Sequence, residues 1–143
     1  MVDIAKIFRG MQNGAETIQA NFNLLNDGMF KTSTVTITGI YNITLTLRRT
    51  GNDVELVTIR QIISSAEGHE QVDAEITIPS GYRPISRALA KFELNNGSTL
   101  YNPMILRLDN DGKTYLTNEA FTNNRYIQSY ATWKTNDPWP TSN

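Results

Sequence analysis

The hydrophobic period of this chain changes abruptly near residue 30, and that change limits what it can fold into. Before it, Met11, Ala15, Ile18, Phe22 and Leu25 are spaced four, three, four and three apart, which is a heptad a/d stripe. After it, from Thr32 onward, apolar and polar residues alternate with period two in segments rich in β-branched side chains. The stripe ends after two heptads, too few for a stable isolated helix because nucleation is costly. A seam that short implies identical chains held together by something larger. The expected architecture is mainly β: a short N-terminal coiled-coil helix followed by a jelly-roll-like antiparallel β-sandwich.

The helix is expected from about Gly14 to Asn26, with Asn13 as N-cap, Glu16 closing a capping box, and Asp27-Gly28 as the stop. Eight strands follow. They are expected at Thr34–Ile37, Asn42–Arg49, Val54–Ile63, Val72–Ile78, Arg87–Leu94, Met104–Leu108, Lys113–Thr117 and Tyr126–Trp133. In Val54–Ile63 the apolar phase slips by one residue, which predicts a β-bulge. Ser64–Gln71, which holds His69, reads as a polar loop. Pro79–Pro84 reads as a rigid turn, and Asn95–Ser98 and Asp109–Gly112 as tight hairpins. The domain division is therefore 1–30 for the stem and 31–143 for the β domain.

Composition excludes several function classes. With 13 basic and 14 acidic residues the net charge is −1, which is no footprint for nucleic acid. No apolar run is long enough to span a bilayer, and the first residues lack the pattern of a signal peptide. The absence of cysteine removes disulfides, thiolate zinc sites and cysteine nucleophiles. The only histidine is His69, and no Gly-x-Ser-x-Gly elbow accompanies it. Asp109-Asn110-Asp111-Gly112 begins like a calcium loop, but its context is a hairpin and Glu119 falls one position short. No catalytic residue, metal or cofactor is expected. Alternating acids such as Asp73 and Glu75 read as a solvated strand face, not a glycosidase pair.

One motif is specific. Arg9-Gly10-Met11-Gln12-Asn13-Gly14-Ala15-Glu16-Thr17-Ile18 resembles the N-terminus of receptor-binding (lower baseplate) proteins of siphophages that infect lactococci and related lactic acid bacteria. Leu47–Asn52, Ile78–Pro84 and the close from Tyr130 to Pro140 resemble their head domains more loosely. The resemblance implies a homotrimer at the tail tip of a virion, synthesised in the host cytoplasm. Its N-terminal segment, including Ile7, Phe8 and Arg9, would dock on an upper baseplate protein, and its β head would bind host cell-wall polysaccharide without enzymatic activity. Many such proteins carry a neck between stem and head. Here only Asp27–Ser33 separates them.

Within the β domain, Tyr130, Trp133, Asp137 and Trp139 cluster near the C-terminus. Aromatic faces suit sugar C–H surfaces, and carboxylates and amides suit hydroxyls. With His69 in its loop, they are the expected saccharide-binding residues. The alternative for each ring is packing in the core or between subunits. For the whole chain, the alternatives are a structural baseplate subunit that binds no sugar and a polysaccharide-degrading enzyme.

Overall fold

The computed structural model describes residue 14, residues 16–23 and residues 31–141. The chain divides into two compact units, Met1–Lys31 and Thr32–Asn143. In the first, residue 14 and residues 16–23 are helical, as the heptad stripe predicts. Ile18 and Phe22, one helical turn apart, are exposed in the single chain at 71 % and 64 %. Met11, Ala15 and Leu25, the rest of the stripe, lie outside the described residues, as do Ile7, Phe8 and Arg9.

The second unit is mainly β and antiparallel. Its strands are β1 (Thr32–Thr38), β2 (Thr44–Thr50), β3 (Asp53–Ile63), β4 (His69–Asp73), β5 (Ala88–Asn95), β6 (Leu100–Leu108), β7 (Thr114–Asn118) and β8 (Arg125–Lys134). Hydrogen bonding joins all eight in the order β1-β2-β3-β8-β5-β6-β7-β4. This is one curled ladder, where the sequence reading expects two separate sheets. Sequential hairpins make β1-β2-β3 and β5-β6-β7, and β8 joins the two groups. It pairs with β3 along most of its length, but with β5 only from Phe92↔Ser129 to Asn95↔Tyr126.

Alternation turns this ladder inward. Leu45, Leu47, Leu56, Phe92, Leu106, Leu116 and Ile127 come from six strands and are all at most 1 % exposed in one cluster. At about 25 cal/mol per Å² of apolar area, such burial is the main stabilising term. The curl also brings the two sheet edges together. Just after β1, the Ile40 N–H donates to the carbonyl of Ala74, just after β4, at 2.9 Å. Nearer the start of β1, Ser33 Oγ and Tyr82 Oη share a hydrogen bond of 2.7 Å.

The bulge in β3 is present, since the register shifts between Thr58 and Gln61. Its detail differs from the sequence reading. The inward phase runs through Val54, Leu56 and Thr58, and Ile59 is 76 % exposed. A second irregularity sets Asn102 and Pro103 of β6 against one residue of β5, which suits a proline with no N–H to give. Some expected boundaries need correction, and β6 begins at Leu100, four residues before the expected Met104. His69 lies in β4, not in a loop, and pairs with Asn118. The strand expected over Val72–Ile78 ends at Asp73, although Ala74, Ile76 and Ile78 are buried in alternation as anticipated. The ladder breaks because Glu75 takes φ 56, with its N–H turned to the Asp73 carboxylate at 2.8 Å.

Left-handed backbone costs an L side chain about 1–2 kcal/mol, and glycine escapes that cost. Glu75 is exposed and its side chain has no part in the core. Glu75→Gly is expected to raise unfolding free energy by about 1 kcal/mol, read as a higher urea midpoint at unchanged m-value.

Candidate functional site

The C-terminal aromatic segment is positioned by an arginine. Ile43, just before β2, and Leu45 and Leu47 on it face inward, so the next inward position is Arg49, which is only 4 % exposed. A buried guanidinium needs acceptors, since its desolvation is expensive. Arg49 Nε–H donates to the carbonyl of Gly51 at 2.7 Å. Its Nη1 donates to the carbonyls of Gly81 at 2.7 Å and Pro138 at 3.0 Å. The guanidinium carbon lies 4.9 Å from the centre of the Trp139 ring, a cation–π distance. Burial lowers the Arg49 pKa from its ordinary value, and the nearby Asp137 carboxylate pushes it the other way.

Asp137 completes the clasp. Its Oδ2 accepts the Gly81 N–H at 2.9 Å and the Arg83 N–H at 3.2 Å. Gly81 has φ 98, and a Cβ there would meet Pro140 Cγ at 2.6 Å, so glycine is required on both counts. Trp133 is 9 % exposed, and its Nε1–H donates to the carbonyl of Tyr82 at 2.7 Å. The Pro79–Pro84 turn and the Asp137–Pro140 close are thus one bonded structure, with Arg49 beneath it.

Between this structure and the edge of β1 runs a groove of about 560 Å³. Its lining includes Ser33, Thr34, Ser80, Tyr82, Trp139 and Thr141, and among the described residues no charged side chain contributes to it. The volume falls in the ordinary range of small-ligand sites. Trp139 is half-buried, held by Arg49 and flanked by prolines that reduce its freedom. The arrangement offers an aromatic face with hydroxyl groups beside it.

The expected saccharide residues therefore divide. Trp139 lines the groove, Asp137 braces its wall, and Trp133 is packed behind it. Tyr130 points to the opposite face of β8, where it is 65 % exposed and donates to Glu55 Oε1 at 3.3 Å. It lines a separate cleft of about 400 Å³ with Lys91, Glu93 and Gln128. His69 lines a cleft on β4, where its Nε2 is 3.0 Å from Tyr41 Oη. Arg83 braces its own turn, its Nε–H donating to the carbonyl of Ile78 at 3.3 Å. Among the described residues, no group of three or more His, Asp or Glu side chains is placed to hold a metal ion. No described helix is long and apolar enough to cross a membrane.

Neither a scan against protein-family models nor a search of curated proteins finds a match for this chain.

Arg49 is the residue that motif reading passes over. Its signal is phase alone: where Arg48 and Arg49 are adjacent on an amphipathic strand, one of them must face the core. Arg49→Met would keep much of the volume and remove every donor, leaving the carbonyls of Gly51, Gly81 and Pro138 without this partner. The expected cost is about 3 kcal/mol. Urea unfolding should measure that loss, and a red shift in tryptophan emission should report Trp139 entering water.

Proposed function

We propose that the chain is a non-enzymatic phage receptor-binding protein, a homotrimer at the tail tip whose β domain recognises a host cell-wall saccharide. The carrying observation is the uncharged groove in which the Trp139 ring is held beside several hydroxyl groups. A pyranose presents a C–H face and an equatorial rim of hydroxyls, and such a groove matches both. Fixing the ring in advance lowers the entropy lost on binding. Binding at one groove would be weak, and many copies on one particle would raise the effective affinity.

The same reading carries a finer architecture. The β head would be a jelly-roll-like sandwich, its layers β1-β2-β3-β8 and β5-β6-β7-β4, separating where β8 and β5 cease to pair beyond Ser129. The helix would be a three-stranded coiled-coil stem. The exposure of Ile18 and Phe22 in the single chain favours that role, because both are large apolar side chains at a and d spacing. Residues 1–12, with Ile7, Phe8 and Arg9, would anchor the trimer in the upper baseplate protein.

Two experiments test this reading. Purified protein is incubated with cell walls of lactic acid bacteria. Retention without released sugar supports saccharide binding. No retention favours a structural baseplate subunit, and released oligosaccharide favours an enzyme. Trp139→Ala is expected to weaken retention by about tenfold, while the melting temperature falls only slightly for loss of the cation–π contact. Unchanged retention by a folded variant would place the site elsewhere. For the stem, replacing both Ile18 and Phe22 with Asp is expected to splay the helices and leave trimer mass intact by light scattering. A monomer would show that the stem, not the head, drives association.

A further inference from the structure

Tyr41 and Asn42 are consecutive non-glycine residues in left-handed backbone, at φ 55 and φ 58. An aromatic residue there is unusual, and such strain persists only where surrounding contacts over-determine it. The contacts are present. Tyr41 Oη accepts the Glu67 N–H at 3.2 Å and lies 3.3 Å from the Glu67 carbonyl. It shares a hydrogen bond of 3.0 Å with His69 Nε2, and the two rings stack with centroids 6.5 Å apart. The strained turn therefore sends a phenol across to β4 and fixes the imidazole.

Edge closure alone would not need this. The backbone bond from Ile40 to Ala74 already ties the edges. What the phenol adds is one wall of a cleft of about 610 Å³, with Ile40, Val72 and Phe121 as apolar lining and Ser65, His69 and Thr122 as polar lining. The imidazole, held through Nε2 by Tyr41, borders this cleft and a second one beside β6 and β7. Glu67 also lines the cleft, and no described lysine or arginine does, which disfavours phosphates and other anions.

We infer that this cleft is a second ligand site, for a pyranose that carries a methyl group beside a hydrogen-bonding edge. The methyl would rest on Ile40, Val72 and Phe121, and the edge would meet the His69 imidazole and the Ser65 and Thr122 hydroxyls. That the ligand is a sugar rests on the function proposed above; that the cleft is a site rests on its own geometry. Two kinds of sugar supply the chemistry: an N-acetylated amino sugar through its acetyl methyl, and a 6-deoxyhexose through its C6.

The test is a titration of the full chain, followed by backbone amide shifts, with N-acetylglucosamine, 6-deoxyglucose and glucose as probes. One or both methyl sugars should move the amides of Ala66, Glu67, Val72 and Phe121, and bind about tenfold tighter than glucose, the effect of one methyl in an apolar pocket. Whichever binds identifies the source of the methyl. Thr122→Trp, at an exposed position on the rim, should fill the cleft and abolish these shifts with unchanged circular dichroism. If Thr122→Trp disturbs the fold, the wild-type titration decides alone. Unmoved amides, equal binding of glucose, or full binding by a folded Thr122→Trp would overturn the inference. Cell-wall retention of Thr122→Trp separates the two readings. If the inference fails while retention through the Trp139 groove persists, the proposed function stands without this site.

Discussion

A guanidinium taken out of water is the constraint on which the C-terminal end of this fold depends. Arg49 cannot be left unpaired in the core, because several kcal/mol of desolvation would then go uncompensated. Its acceptors are carbonyls from three separate loops, at Gly51, Gly81 and Pro138. Satisfying the charge therefore requires the β2–β3 turn, the proline-rich turn and the terminal segment to meet at one point. Asp137 then adds the bonds to Gly81 and Arg83, and the Trp139 ring covers the cation. An aliphatic side chain at this position would pack, but would specify none of these meetings.

The clefts sit where the ladder departs from regularity. Beyond Ser129, β8 and β5 stop pairing, and the Tyr130 cleft lies at that point, beside the β3 bulge. The Trp139 groove runs along the unpaired edge of β1, and the Tyr41 cleft lies where a left-handed turn bridges to β4. A regular sheet offers a flat surface. Concavity has to be made with bulges, splits and edges, and these are also the places where side chains can be redirected.

Much of the fold was legible because burial follows parity. The alternations in Asn42–Arg49, Val72–Ile78 and Arg87–Leu94 marked the inward residues correctly, and the phase slip in Val54–Ile63 marked a real bulge. The Asn-Gly and Asp-Gly hairpins carried their own chemistry, with Gly97 and Gly112 both at positive φ. Pairing order was less legible. Alternation says which face is buried, not which strand is the neighbour, so one continuous ladder and two sheets read alike. The site was legible in part. Aromatic residues close in sequence on one strand point to opposite faces, as Tyr130 and Trp133 do, and proximity along the chain hid that. Tyr41 carried no signal, since nothing in a tyrosine announces left-handed backbone.

The first strand of the curled sheet, Thr-Ser-Thr-Val-Thr-Ile-Thr, has one ladder partner among the described residues, β2. It contains no charge, no proline and no bulge, the devices by which natural edges usually discourage pairing with another molecule. Its guard is the neighbouring chain: the turn that carries Tyr82, bonded to Ser33, and the terminal segment beside it. The clasp at Arg49 fixes the two segments that flank this edge. When it loosens, the first species released is a nearly folded molecule with a bare β-branched edge. Loss of soluble protein through edge-to-edge aggregation would then precede global unfolding, and the limit on handling this protein would be colloidal before it is thermodynamic.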